Sequence, residues 1–310
     1  MKTKKNLLVT AADKNYINQA KQLFSSAYWN GGWKGDYMLL SHNIPEKDLD
    51  WFRNKGILIY RCKPITRKGW KLWSNAAMDR FYLFTPEFKK WEHIIYLDGD
   101  IIIRGNLERL TNLNGFWAAK DGQETLNNGI RNIKKFLKGG YDLKGKYFNS
   151  GVFAFSTDII NNGEIFKNLN KLWKKYKKEC KFPDQTILNL YFQNKWKELS
   201  PIYNFCPVNY YYNDIINDDL NAIIMHFRIP KKPWENKKSH FYPEWKKYLD
   251  KAEGIDLSII QKGRKVKPLP IMYNKIFQSK KIVRNNSLGK IGLFIKRYNP
   301  KIYYYLGGKN

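Results

Sequence analysis

Short apolar runs alternate with helix-like segments in the first hundred residues, and this alternation restricts the possible folds more than any other feature of the sequence. The runs are NLLVTA, DYMLLSHN, ILIYRC and HIIYL, which begin at Asn6, Asp36, Ile57 and His93. Between them lie segments with apolar residues at helical spacing, such as NYINQAKQLFSSAYW and WSNAAMDRFYLF. Strands that alternate with helices predict an α/β fold, and ligands of such folds bind beyond the carboxyl ends of the strands.

The pattern is looser in the second half of the chain. YFNSGVFAFS and NAIIMHF are predicted strands, and IFKNLNKLWKKYKK and PDQTILNLYFQ are predicted helices. Between Gly115 and Lys146 the periodicity weakens, so FWAAKD and the Gly/Lys-rich residues after it receive no element.

Two aspartates directly follow the fourth apolar run, in HIIYLDGDIII. Burying an unpaired carboxylate is costly, so Asp98 and Asp100 need a compensating partner. Extended residues at i and i+2 point to the same side, and Gly99 between them allows close approach of a ligand. Two such oxygen donors suit Mg²⁺ or Mn²⁺ carried with a diphosphate, although an ordinary surface turn also produces this triplet. The position after a buried strand favours the metal site.

The segment HFRIPKKPW, which starts at His226, provides a second candidate element. A neutral imidazole there would favour Mn²⁺ over Mg²⁺, and Lys232 would pair with a phosphate. Taken alone, a histidine followed by a basic loop is more typical of an ordinary core or surface position.

The charge is strongly asymmetric. The chain has 56 Lys/Arg against 27 Asp/Glu, a net charge of +29, and residues 259–310 contain thirteen Lys/Arg and no acid. We predict a catalytic domain in residues 1–250 and a basic, aromatic extension in residues 251–310. Interleaved rings and cations suit an anionic membrane surface, with a solvated tail or a nucleic-acid arm as alternatives.

Cysteine usage and hydropathy bear on the cellular compartment. The three cysteines are widely spaced without a CxxC pair, which is typical of a reducing compartment. No apolar run approaches the roughly 20 residues that span a bilayer. The expected location is therefore cytoplasmic, on the inner face of a membrane.

In their order along the chain, these segments resemble glycosyltransferase family 8, which has a DxD after a strand, a histidine about 130 residues later and a K-P-W ending. TAADKNY, MDRF, YFNSGV, PDQTILN and YNFCP resemble further segments of that family. The likeness runs from about Leu7 to Trp234. It implies the GT-A fold, a mixed sheet flanked by helices, here with a basic C-terminal extension.

The resemblance also implies residue roles. Asp98, Asp100 and His226 would bind Mn²⁺ or Mg²⁺, and Asp184, Gln185 and Arg80 would be the catalytic residues around the donor sugar. The expected contacts to a UDP-sugar donor are Ala11, Asp13, Asn15, Tyr16, Arg80, Asp98, Gly99, Asn149 and Lys232. The Tyr16 ring would stack on the base.

Four positions depart from the family pattern. Met78 and Gly99 replace a tyrosine and an alanine without affecting the expected mechanism. Ile229 stands where the family prefers a glycine whose backbone approaches the diphosphate, and a β-branched residue disfavours positive φ. Thr186 replaces the second acid of D-Q-D, so a covalent intermediate on that acid is not available.

The resulting expectation is a retaining, metal-dependent hexosyltransferase that uses a UDP-sugar and a hydroxyl of a glycan, lipid-linked or protein acceptor. Same-face attack is the favoured route to retention. A weak or inactive GT-A protein that binds polyanions or membranes is the alternative. A metal-dependent nuclease or phosphotransferase is a third interpretation and would need a further acid near DGD. No specific nucleic-acid partner is expected.

Overall fold

The computed structural model describes residues 6–65, 74–207, 222–228 and 232–258. The chain divides into two units, of which the first, Met1–Cys206 with Ala222–Leu269, contains all the elements given below. The second, Pro207–Asn221 with Pro270–Asn310, lies outside the described residues except for Pro207. The predicted basic extension lies outside them from residue 259 onward, so the division at residue 250 stays a prediction.

Most strands of the described residues join one seven-stranded sheet with the order β3-β2-β1-β4-β7-β6-β8. The strands are β1 (Asn6–Ala12), β2 (Asp36–Ser41), β3 (Leu58–Arg61), β4 (His93–Leu97), β5 (Ile101–Ile103), β6 (Phe116–Thr125), β7 (Lys146–Ser156), β8 (Trp196–Leu199) and β9 (Ile224–His226). Strands β1 to β4 are mutually parallel, whereas β7 runs antiparallel to both β4 and β6, and β8 is parallel to β6. The short strands β5 and β9 pair antiparallel in a separate two-stranded sheet.

The α-helices of the described residues are α1 (Ile17–Asn30), α2 (Glu46–Asn54), α3 (Ile133–Leu137), α4 (Glu164–Tyr176), α5 (Pro183–Phe192) and α6 (Tyr242–Asp250). Short 3₁₀ helices supplement them, the longest of which is Asn75–Phe84. Within the part of the chain described, no helix combines the length and the apolar character needed to cross a membrane.

Two hydrophobic clusters cover the sheet, and β4 shows why its sequence is continuously apolar. Alternate residues of a strand face opposite sides. Ile94 and Tyr96 belong to one cluster, while Ile95 and Leu97 belong to the other. Both faces of β4 are thus buried, as expected for a central strand between two helical layers. The predicted mixed α/β sheet flanked by helices is confirmed.

Three local predictions need correction. WSNAAMDRFYLF is predicted to be an α-helix, whereas its residues Asn75–Phe84 form a 3₁₀ helix in which the Arg80 side chain donates to the Ala77 carbonyl. FWAAKD, which received no element, begins the ten-residue strand β6. Its pairing with β7 shifts register after Ala118 and after Lys120, and this irregularity conceals the period-two pattern in the sequence. Strand β5, in the three isoleucines after DGD, was also not predicted.

Candidate active site

The two aspartates of DGD lie where β4 ends, at the carboxyl edge of the parallel strands. Asp98 donates its backbone N–H to the Gly151 carbonyl of β7, 2.8 Å away. Asp100 directly precedes β5, whose first residue, Ile101, pairs with His226 at the end of β9. Two strand pairings therefore bring residues from distant parts of the sequence to one point.

Asp98, Asp100 and His226 form a cluster whose ligand atoms all lie within 4.8 Å of one another. His226 Nε2 is 3.1 Å from Asp100 Oδ1 and 3.9 Å from Asp98 Oδ2. The histidine side chain is almost fully buried, and the two aspartate side chains are partly exposed. Two carboxylate oxygens and one imidazole nitrogen are a donor set that Mn²⁺ accepts, so the residues fit the metal expected from the sequence.

Arg80 contacts this cluster through Asp98. Its guanidinium donates to Asp98 Oδ1 at 2.7 Å and lies 3.0 Å from Asp184 Oδ2, so it joins the metal cluster to helix α5. The same group donates to the Ser150 carbonyl and lies 4.5 Å from the Tyr96 ring centroid. Arg80 is 3% exposed, and its N–H groups face protein acceptors.

The surroundings shift the pKa values of Asp98 and Asp100 in opposite directions. Burial raises the pKa of Asp98 above its ordinary value, although the Arg80 charge opposes the shift. Burial also acts on Asp100, but the His226 and Lys232 charges outweigh it and hold the pKa of Asp100 below its ordinary value. Burial alone would lower the pKa of Arg80, whereas Asp184 and Asp98 raise it. Arg80 is therefore a permanent cation of the site.

Lys232 contacts the cluster at Asp100. Its Nζ donates to Asp100 Oδ2 and to the Phe227 carbonyl, both at 2.5 Å. An ammonium group beside a metal cluster suits the phosphate contact that the sequence predicts for this lysine. Ile229, the departure noted in the same segment, lies outside the described residues.

The predicted donor-sugar residues are brought together beside the metal cluster. Asn149 Nδ2 donates to Gln185 Oε1 at 2.9 Å, and the Ser150 hydroxyl donates to Asp184 Oδ2 at 2.8 Å. Asp184 and Gln185 lie in the first turn of α5, where the helix N-terminus favours an acidic side chain. Thr186 is fully buried, and its hydroxyl is 2.9 Å from that of Tyr147, so it points into the core.

The loop predicted to contact the nucleotide follows β1. Asp13 caps the 3₁₀ helix Lys14–Tyr16 by accepting from the Asn15 backbone N–H at 2.9 Å. The Tyr16 ring lies edge-on to Trp234, with 6.2 Å between the ring centroids. A Cβ on Gly99 would lie 3.3 Å from Tyr16 Cδ1, so the loop packs closely on DGD. Ala11, at the end of β1, completes the predicted set.

The structure adds site residues that the sequence analysis did not single out. Asp121 on β6 accepts from Asn149 Nδ2 and from Arg228, both at 2.9 Å. Asn204 lies between Asn149 and His226, 2.9 Å and 2.8 Å from them. Asn204 lies in YNFCP, a segment that resembles the family, but the resemblance implies no role for this residue.

Gly151 is the third of these added residues, and its lack of a side chain is required. A Cβ built there would lie 2.2 Å from His226 Cε1 and 2.7 Å from Asp98 Oδ2. Real Cβ atoms do not approach other atoms so closely, so the glycine in YFNSGV provides room for the side chains of Asp98 and His226.

Comparisons with known proteins agree with this geometry. Residues 7–238 match the family described as Glycosyl transferase family 8. Glycosyltransferase GlyE of Streptococcus pneumoniae is 26% identical over 256 residues, which cover 76% of this chain and 58% of GlyE. Lipopolysaccharide 1,2-glucosyltransferase of Escherichia coli K12 is 24% identical over 201 residues, which cover 61% of this chain and 56% of that protein. The chain spans about a third to three fifths of the length of such curated relatives.

The fold is shared with solved glycosyltransferases. Galactosyltransferase LgtC, solved in complex with donor and acceptor sugar analogs, has a TM-score of 0.61 and 20% identity to this chain. The match covers 80% of this chain and 96% of LgtC, and it establishes the GT-A fold. Since the family match also includes DGD, the Asn149 strand, the start of α5 and His226, the chain belongs to glycosyltransferase family 8.

Proposed function

We propose that this protein transfers a hexose, glucose or galactose, from a UDP-sugar to an acceptor hydroxyl, with retention of the anomeric configuration and with Mn²⁺ as the preferred metal. The observation that carries the proposal is the convergence of Asp98, Asp100 and His226 beside the buried donor-sugar residues. When bound, the metal would neutralise the charge that develops on the diphosphate leaving group.

The chain's own residues would orient the donor. Lys232 Nζ, which donates to Asp100 in the structure, would donate to a phosphate oxygen of the donor. Asp184 and Gln185 would accept and donate hydrogen bonds to the sugar hydroxyls. Arg80 keeps Asp98 and Asp184 at fixed positions, so the metal and sugar subsites hold a constant separation.

Retention is attributed to same-face attack. A double displacement needs a nucleophile beneath the anomeric carbon. Thr186 has no carboxylate, and its hydroxyl is directed into the core at Tyr147. Gln185 is a poor nucleophile. Asp121 is an acid in this region, but its Oδ2 already accepts from Asn149 and Arg228, which favours a positioning role.

A donor screen tests the function. UDP-glucose, UDP-galactose and other nucleotide sugars are incubated with the protein, with and without Mn²⁺, and UDP release is measured. We expect release with one UDP-hexose and loss of release after chelation. Absence of nucleotide release with every donor would contradict the proposal and favour a binding protein, whereas cleavage of DNA or RNA would indicate a nuclease.

The acceptor is proposed to be a glycan or a lipid-linked glycan, with residues 259–310 holding the enzyme on an anionic membrane surface in the cytoplasm. The thirteen cations of that segment and its lack of acids support the proposal. In sedimentation with phosphatidylglycerol-containing vesicles, we expect the full-length protein to pellet at low salt and a variant lacking 259–310 to remain in the supernatant. A full-length protein that ignores these vesicles would refute this part of the proposal.

A further inference from the structure

A chain of buried amide groups connects the donor-sugar subsite with the metal cluster. Asn149 contacts Gln185 and Asp121 on one side and Asn204 on the other, and Asn204 contacts His226. Gln185, Asn149, Asn204 and His226 are each 7% exposed or less. A buried chain of this kind is stable only when each donor faces an acceptor. The orientation of one amide, its polarity in the chain, therefore determines the orientation of the next.

The first two amides are oriented by groups with fixed roles. The Ser150 backbone N–H lies 3.1 Å from Gln185 Oε1 and can only donate, so the Gln185 oxygen must face it. Asn149 points one end at this oxygen and at Asp121, both of which accept, so that end is its NH₂ group. Its other end lies 3.0 Å from the Gly151 backbone N–H and must be the oxygen.

The orientation of Asn149 then determines those of the next two groups. Asn149 Oδ1 is 2.9 Å from Asn204, which must therefore present its NH₂ group. Asn204 Oδ1 is left to face His226 Nδ1 at 2.8 Å, and two acceptors at that distance would repel. The ring must carry a proton on Nδ1. Nε2, which is directed at the carboxylates of Asp98 and Asp100, is then the nitrogen left for a metal, and binding of the metal would displace any proton that Nε2 shares with Asp100 in its absence.

We propose that Asn204 is a positioning residue that keeps a proton on Nδ1 of His226 and thereby leaves Nε2 as the nitrogen that binds the metal. Nε2 faces two carboxylates, an arrangement that a bound cation satisfies. The donor-sugar subsite takes part in this function because the polarity begins at Gln185 and Asn149. The inference deepens the proposed function and rests on its metal site, but the proton on Nδ1 is a property of the protein without metal.

The position of the proton is tested by NMR on the full-length, metal-free protein with ¹⁵N-labelled histidine. We expect the long-range ¹H–¹⁵N pattern to show a proton on Nδ1 of His226, with or without a second proton on Nε2, and assignment comes from a His226→Gln spectrum. Asn204→Ala should reduce the fraction of His226 rings that carry a proton on Nδ1. A wild-type ring whose only proton is on Nε2 would overturn the proposal.

Metal affinity is the second readout, measured by titration with Mn²⁺ alone and detection of free Mn²⁺ by EPR. Loss of an outer hydrogen bond to a metal-binding histidine weakens affinity about 10- to 100-fold, and we expect this for Asn204→Ala. Asn189→Ala is the matched control, because Asn189 is equally buried and bonds to Phe148 and to the Gln185 carbonyl without contacting His226. Its Mn²⁺ affinity should stay at the wild-type value.

The two readouts separate the possible failures. If Asn204→Ala is folded by circular dichroism and has wild-type affinity and wild-type protonation of Nδ1, Asn204 has no positioning role. If it does not fold, the wild-type spectrum still decides the question. A wild-type protein that has the expected proton on Nδ1 but binds no Mn²⁺ would contradict the proposed metal dependence and leave the role of Asn204 intact.

Discussion

Asp98→Asn is expected to reduce metal-dependent UDP release about a thousandfold, which corresponds to about 4 kcal/mol of transition-state stabilisation. The substitution keeps the size of the side chain and changes its charge. Asp98 Oδ1 already accepts from Arg80 and Tyr96. An asparagine would keep its oxygen on these donors and present its NH₂ group to the metal position, where it cannot bind a cation. Mn²⁺ titration should show the matching loss of affinity.

The control for this variant is Asp36→Asn. Asp36 begins β2, at the opposite end of the parallel strands from DGD, and accepts from the Trp91 indole. It should lose some stability and retain activity per folded molecule. Full metal-dependent turnover by Asp98→Asn would show that the metal assignment is wrong.

Arg80→Met is expected to lower the free energy of unfolding of the metal-free protein by about 3–5 kcal/mol, because it leaves the partly buried carboxylates of Asp98 and Asp184 without their shared cation. For a domain of this size the melting temperature should fall by roughly 10 °C. Added Mn²⁺ should restore part of the loss, since it binds only the folded site and compensates Asp98. Thermal and urea unfolding, with and without Mn²⁺, measure both effects.

Arg53→Met is the matched control for the loss of an arginine ion pair. Arg53 pairs with Glu46 and Asp50 on the exposed surface of α2, where such contacts contribute less than about 1 kcal/mol. If both arginine variants unfold at the same denaturant concentration, Arg80 has no special role in holding the carboxylates.

The parallel half of the sheet and the proximity of Asp98, Asp100 and His226 were predictable because their signals are local or carried by family segments. The continuous apolar run of β4 predicted a strand covered on both faces, and the two clusters confirm it. The spacing of Asp98 and Asp100 predicted that they share a site, and His226 joins them in the structure. The individual roles in donor binding stay predictions, although Asn149, Asp184 and Gln185 do lie together.

The remaining features depend on tertiary contacts that no short window of sequence records. Strand β6 is held by β7 on one side and β8 on the other, and its register shifts hide the alternation. Asp121 on that strand is recognised as a site residue only by its hydrogen bonds to Asn149 and Arg228. These partners lie on β7 and in the segment after β9. Gly151 could not be distinguished from an ordinary glycine until the position of His226 was known.

The pairing of Ile101 with His226 has a consequence for how the protein folds. These residues lie more than a hundred positions apart in the chain, so their contact closes a long loop and carries an entropic cost. Contacts of high sequence separation tend to form late, after the local contacts. A folding intermediate that lacks β9 would hold the two aspartates without the histidine. A metal that requires all three ligands would therefore prolong the lifetime of the native protein without speeding its formation.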